Sequence, residues 1–455
     1  MPSPAAPTGL SADAGAGSPA PLLPARPSRH RWVVVAIFFA FMWLHQSDKL
    51  LIGSLVEPIE KAFHITKTQM GAVQTGALIV GALLYPLWGY LYDRYARPKL
   101  LALASFIWGA TTWLSALAPT YRSFVATRAS TGIDDSSYPG LYSLVSDYFG
   151  PKVRGKIYGL LELTMPLGFL SGMVLALTLR DVIGWRGVFY ITGSLGILLA
   201  IVIFFGVKDA PRGKSEPELA ELKQIGAYRF NWKTALGLFR KPSLVLLFLQ
   251  GFFGVFPWNV ITLWFLNYLE TERGYSGGSL MLTMGLAVVV LALGYPVGGA
   301  LGDLLFKRTP RGRIIVAGTG VILGAILLTI TLNIPIGNRL AFLLMLCATA
   351  LFIPFAAPNV ISTVYDITEP EVRSSALAVQ YFIESAGAAT SPLLAGIIAD
   401  RTSLHWAILL ICVSTWVVCA IFFAFVGYLV PGDIANLRSQ MRERAERERT
   451  SQQAM

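Results

Sequence analysis

The chain has 455 residues, 54% of them hydrophobic and only 14% charged, against roughly 25% charged in a soluble domain. That balance excludes a water-soluble globular protein and points to a chain that lives largely in a bilayer. A net charge of +11 would suit a nucleic-acid binder, but its placement, set out below, is that of a membrane topology.

Residues 1–30 are rich in Pro, Ala, Ser and Gly and read as a disordered tail. They do not read as a signal peptide, because no small-residue cleavage site follows the first apolar run. Twelve apolar runs follow, each of the ~20 residues that cross a bilayer as a helix. They cover 32–55, 69–92, 99–118, 122–146, 155–179, 186–206, 244–268, 279–304, 313–333, 340–364, 375–399 and 405–429. With both termini in the cytoplasm, most of the 37 Lys and Arg residues fall on the cytoplasmic side. The opposite side carries Lys61, Lys67, Arg122, Arg180, Arg186, Arg273, Arg339 and Arg401. That asymmetry is the positive-inside signal, so the basic excess records orientation and nucleic acid is not an expected partner. The stretch from Asp433 to Arg449 reads as a solvated charged tail or as an amphipathic surface helix, the former favoured. Cys347, Cys412 and Cys419 all lie in apolar runs and read as small buried hydrophobes, with no disulfide or metal spacing.

The longest polar connection, near 207–242, divides the runs six and six. Across it Pro139, Asp147, Arg154, Gly168 and Asp181 recur as Pro358, Asp366, Arg373, Gly387 and Asp400, at one constant offset. GYLYDRYAR (Gly89 to Arg97) likewise matches GALGDLLFK (Gly299 to Lys307). The expected architecture is therefore an all-α membrane protein with two parallel six-helix repeats, a layout whose substrate site lies between the repeats near the midplane. Its expected parts are a tail (1–30), two bundles (31–206 and 243–430), a cytoplasmic linker (207–242) and a second tail (431–455).

The pattern at Gly89, Asp93, Arg94 and Arg97 resembles the cytoplasmic loop signature of the major facilitator superfamily. In that family the cluster latches the cytoplasmic side, which implies a gating set here of these four with Asp147, Arg154, Asp303, Lys307, Asp366 and Arg373. MGAVQTGALIVGALLYPLWGYLYDRYAR, RASTGIDDSSYPGLYSLVSDYF, LTMPLGFLSG and VKDAPRGKSE resemble the Spinster-like branch. That resemblance implies an acid–base pair in the first helix, here Asp48 and Lys49, and an R-x-x-x-G-x-G-E pattern in the fourth. The latter falls on Arg128, Gly132, Asp134 and Asp135, with Asp135 in place of the glutamate and Asp134 in place of a glycine. Glu162 stands where an aromatic residue is expected. The branch's eukaryotic members export sphingolipid or lysophospholipid species, which implies an amphipathic anionic substrate.

Ionisable residues inside a bilayer are costly and mark function. In the first apolar run His45, Gln46, Ser47, Asp48 and Lys49 are expected to face a central cavity. In a regular fourth helix Arg128 and Asp135, seven residues apart, share a face about 10 Å apart along the axis, with Asp134 rotated about 100° away. Arg128 is thus the expected anion anchor, with Asp135 as its partner and Asp48 nearby. A desolvated carboxylate beside a cation is held between opposing tendencies and can exchange a proton. Asp48, Asp135 and Glu162 are the expected coupling acids. His45, Lys49, Asp134, Trp258, Asn259, Asn359, Tyr381 and Glu384 are further candidates for contact with substrate, and Trp43 and Trp88 are expected to flank the cavity. Glu162 and Glu384 could equally stand at a membrane boundary.

No P-loop, nucleophile elbow or metal-ligand spacing is present, so neither ATP, enzymatic chemistry, a metal nor a cofactor is expected. The expected function is secondary transport by alternating access, driven by protons, by a monomer spanning the cell membrane (plasma or inner). A small organic anion is the alternative substrate. A non-transporting sensor and a lipid-modifying membrane enzyme are the competing classes.

Overall fold

The computed structural model of the chain describes residues 30–135, 137–149, 157, 160, 161, 163–210, 238–368 and 373–453, and their regular structure is helical. The first apolar run forms α1 (His30–Leu51), a 3-10 turn (Ile52–Leu55) and α2 (Val56–Phe63). His64 ends α2 at φ 51°, and Thr66 opens α3 (Lys67–Arg94) by accepting from Gln69 N while the Gln69 side chain accepts from Thr66 N. That reciprocal cap satisfies two amides which the helix start leaves open. α4 spans Arg97–Leu117.

The fourth run departs from expectation. It is split into α5 (Tyr121–Ser130), α6 (Gly132–Asp135) and α7 (Tyr138–Tyr148). Gly132 is pressed against the Ala77 carbonyl, where a Cβ would not fit. The fifth and sixth runs form one stretch, α8 (Thr164–Gly206), broken at Gly184 with φ +70°.

The later helices are α9 (Pro242–Gly254), α10 (Phe256–Thr271), α11 (Gly277–Phe306) and α12 (Gly312–Leu332). α13 (Arg339–Phe352), a 3-10 turn (Ile353–Phe355) and α14 (Ala356–Ile367) follow. α15 (Arg373–Arg401) and α16 (Leu404–Gln453) close the chain. α16 carries straight through the charged 433–449 stretch, where Ser243 Oγ donates to Asp433. Nine helical stretches among the described residues are long and apolar enough to cross a bilayer.

The helices before and after the long polar connection meet along α3 and α15. Gly71 and Gly396 lie against the backbones of Pro392 and Lys67, so the two helices touch almost without side chains between them. Asp400, at the end of α15, accepts from Lys67 N (2.9 Å) and Thr68 N (2.8 Å), placing a carboxylate on the positive end of α3. Lys67 Nζ then donates to Asn267 Oδ1 on α10 (3.0 Å). Nearby, Arg180 pairs with Glu270 of α10 and donates to the Ser54 carbonyl (2.7 Å), while Gly53 abuts Thr262. These contacts gather at the end of the molecule formed by the α2–α3 turn. Gly71→Val is expected to overpack this crossing at a cost of about 1–3 kcal/mol, read as a fall in melting temperature of the purified protein.

Candidate functional site

The polar segment of α1 is buried by three neighbouring elements. Asp48 is 2% exposed. Its Oδ2 accepts from Trp108 Nε1 (3.0 Å) and Thr112 Oγ1 (3.1 Å) on α4, and its Oδ1 from Thr192 Oγ1 on α8 (2.5 Å). Arg128 Nη1 stands 3.8 Å from Asp48 Oδ2, with the guanidinium over the Phe189 ring. Three donors and a cation thus hold one carboxylate, which is how a membrane interior tolerates a charge. Trp108, Thr112 and Thr192 escaped the sequence reading, because an indole or hydroxyl on an apolar helix carries no pattern of its own.

One turn earlier, His45 bridges to the broken fourth run. Its Nδ1 meets Tyr138 Oη at 2.5 Å, and its Nε2 meets Asp134 Oδ2 at 2.6 Å and Asp135 Oδ1 at 3.7 Å. The imidazole is stacked on Phe41 and edge-on to Trp108. Lys49 Nζ binds Asp135 Oδ2 at 2.8 Å. This pair is the more open part of the cluster, with Lys49 31% and Asp135 15% exposed.

The pairing differs from the regular-helix expectation. Arg128 faces Asp48, whereas Asp135 pairs with Lys49 and the supposedly rotated Asp134 reaches His45. One interruption lies between these positions, at Thr131, whose amide bonds back to the Arg128 carbonyl in a tighter turn, and the partners stand at different heights along α1: Asp48 beside Arg128, His45 and Lys49 beside Asp134 and Asp135. The donor atoms of His45, Asp134 and Asp135 lie within 4.8 Å of one another, an arrangement open to a cation. The Lys49 ammonium already supplies one there.

An apolar cavity lies between the two helix series, with about 730 Å³ of space counting its open mouth. Met165, Pro166 and Phe169 of α8 form one wall and Trp258 of α10, Tyr295 of α11 and Leu346 of α13 the other. Gly168, next to Phe169, is packed on Gln46 and Ser47. The cavity is therefore level with the charged segment of α1.

The remaining candidates are dispersed. Trp258 lines the cavity, but Asn259 bonds back to the Val255 carbonyl (2.9 Å). Asn359 is 1% exposed and donates to the carbonyls of Gly298 and Phe355, so it serves the α11–α14 crossing instead of an open surface. Trp88 is also buried, donating to Ile133 O (2.5 Å), while Trp43, at the surface, bonds Ser171 Oγ. Tyr381 is exposed on α15, and Glu384 accepts from Gln380 Nε2 (2.9 Å) beside Gly251 of α9. Glu162 and Arg154 lie outside the described residues, as do the side chains of Asp93 and Arg373.

At the end opposite the α2–α3 turn, Arg97 is 2% exposed and reaches Asp147 (2.5 Å), Asp209 (3.0 Å) and Ser143 (3.1 Å). Arg94 is exposed and Gly89 lies within α3. In the second series Arg313 takes the corresponding place, binding Asp303 (2.8 Å) and Asp366. Lys307, aligned to Arg97 by sequence, is exposed at the end of α11. The signal for Arg313 was positional: like Arg97, it stands in the first turn of the helix after the motif.

The sequence profile of the Major Facilitator Superfamily matches residues 32–348 and 292–451. Protein spinster of Drosophila melanogaster is 27% identical over 411 residues, covering 85% of this chain and 65% of the fly protein. Protein spinster homolog 1 of Homo sapiens is 26% identical, over 82% of this chain and 74% of the human one. An MFS-type efflux pump of Mycolicibacterium smegmatis is 26% identical, over 82% and 85%. The fold is similar to the crystal structure of a bacterial homolog to human lysosomal transporter Spinster, in an inward-facing and unoccupied conformation. That similarity has a TM-score of 0.77 at 19% identity, over 89% of this chain and 98% of that one. The chain belongs to the Major Facilitator Superfamily of multi-pass membrane transporters, not to an enzyme family, and within it the chain is similar to the Spinster proteins.

Proposed function

We propose that this protein is a proton-coupled secondary transporter of an amphipathic, lipid-like organic anion, working by alternating access as a monomer in the cell membrane. The observation that carries the reading is the apolar cavity between the two helix series, level with the Lys49–Asp135 pair. An apolar body fits the cavity walls, and an anionic head finds in Lys49 the more exposed cation of the cluster. Arg128, sealed beside Asp48, acts by fixing that carboxylate.

Twelve spans follow if α8 crosses twice about Gly184, α3 once, and α5 to α7 together once. Both termini are then cytoplasmic, the bundles are 31–206 and 243–430, and 207–242 is the linker between them. The α2–α3 end is in that case the outer end. Its closure through Asp400, Lys67 and the Arg180–Glu270 pair makes this an inward-facing conformation, the state in which the bacterial homolog was captured. Arg97 with Asp147, and Arg313 with Asp366, brace the cytoplasmic ends as the halves rock.

Coupling follows from one shared cation. While Asp135 is ionised it holds Lys49; protonating Asp135 releases Lys49 to the substrate anion. Proton and substrate then each change the affinity for the other. A thermal-shift screen contrasting lysophospholipids and sphingoid phosphates with short carboxylates tests the substrate class. Stabilisation by the single-chain lipids, reduced about tenfold or more in apparent affinity by Lys49→Ala, is expected. Stabilisation by short carboxylates alone would favour a small-anion transporter.

A further inference from the structure

The buried charges around α1 do not balance. Among the described residues, the cluster holds three carboxylates, Asp48, Asp134 and Asp135, and two permanent cations, Lys49 and Arg128. Asp48 faces Arg128 at 3.8 Å and Asp135 binds Lys49 at 2.8 Å. Among the described residues Asp134 is left with His45: its Oδ2 is 2.6 Å from His45 Nε2, and its Oδ1 is buried without a hydrogen-bond partner among them. Asp134 is 1% exposed and His45 4%. An unpaired carboxylate so far from water is costly, and one proton shared with the imidazole removes the charge.

We infer that the exchangeable proton of this transporter rests on the His45–Asp134 pair and passes from His45 Nε2 to Asp135. Asp135 Oδ1, 3.7 Å from Nε2, is the further acceptor on the open side, and the proton reaches it through one bridging water or once the two atoms close to hydrogen-bond distance. Nε2–H breaks and Oδ1–H forms; His45 becomes neutral, Asp135 gives up its charge toward Lys49, and Asp134 keeps its own until the next proton reaches the pair, a cost that draws that proton in. This inference rests on the proton-coupled reading above and adds the site that stores the proton.

The surroundings suit that role. On α1, Phe41 stacks on the imidazole and Lys49 lies on the open side; on α4, Trp108 packs edge-on. On α7, Tyr138 Oη meets Nδ1 and also receives Gln46 Nε2 at 3.5 Å, so the ring is held from both nitrogens. On α3, Gly81 backs Gly132 and Asp135; on α8, Gly168 and Gly172 press on Gln46 and Ser47 without adding charge. The way out of the pair therefore leads through Asp135 to the open side.

The four histidines allow a direct test. Full-length protein carrying His30→Gln, His64→Gln and His405→Gln, labelled with ¹⁵N-histidine, reports His45 alone by NMR in detergent. Between about pH 5 and 9 the signal is expected to convert between imidazolium and imidazole. Asp134→Asn should change its proton affinity by about tenfold or more. In proteoliposomes, with radiolabelled lysophosphatidate as probe, His45→Gln is expected to lose accumulation driven by an imposed proton gradient. A His45 signal that stays in one state across the range, with or without Asp134, overturns the inference, whether or not His45→Gln folds. So does His45→Gln accumulating probe as wild type does. Wild-type protein that ignores the gradient while His45 titrates would overturn the coupling reading and leave the proton site standing.

Discussion

Asp135→Asn is expected to abolish accumulation driven by a proton gradient in proteoliposomes, with the steady-state gradient falling between about 5- and 150-fold, the range of a typical coupling free energy. The fold should survive, because Asp135 and its partner Lys49 are 15% and 31% exposed and water can solvate the ammonium left behind. Binding of the anionic probe should become insensitive to pH while its affinity stays within a few-fold of the best wild-type value. In this variant residue 135 no longer holds Lys49 as an ion pair, so the carrier still exchanges substrate for substrate. Wild-type accumulation by Asp135→Asn would remove this residue from the coupling path.

Asp48→Ala is expected to act on the fold itself. It leaves the Arg128 guanidinium, 3% exposed, without its carboxylate, and strands the donors of Trp108, Thr112 and Thr192. Breaking a buried pair in this one-sided way costs about 3–5 kcal/mol, whereas replacing both partners by apolar groups is often close to neutral. Asp48→Ala should accordingly lose most of its folded yield, and Asp48→Ala with Arg128→Met should recover much of it. The melting temperatures of the two variants in detergent make the comparison. A single variant as stable as wild type would mean that the carboxylate does not hold Arg128.

The contrast between these two acids was only partly legible in the sequence. That Asp48, Lys49 and Arg128 matter could be read directly, since charges within apolar runs rarely face lipid. Their pairing could not. A constant 100° per residue links Arg128 to Asp135 and turns Asp134 away, but the helix tightens at Thr131, and nothing in the spacing says at which height along α1 each partner will stand. The same limit explains His45, which has no metal-ligand or catalytic spacing in the sequence and acquires its partners only through the fold. Asn359 misled in the opposite direction: an amide between apolar helices reads as a ligand contact, and here it bonds the backbone of a close crossing. The repeat was legible at its matched positions, of which Asp147 and Asp366 are each met by an arginine. It hid Arg313, because the loop after Asp303 is longer than the one after Asp93 and a gapless alignment puts Lys307 opposite Arg97.

One measurement bears most directly on the central claim, that a proton gradient drives an amphipathic anion through this protein. Purified wild-type protein in proteoliposomes is given an imposed proton gradient, with radiolabelled lysophosphatidate on one side and a short dicarboxylate as the competing probe. The expected result is concentrative movement of the lysolipid that collapses when a protonophore dissipates the gradient, with little movement of the dicarboxylate. Lysolipid flux that only equilibrates, unchanged by gradient or protonophore, would contradict it.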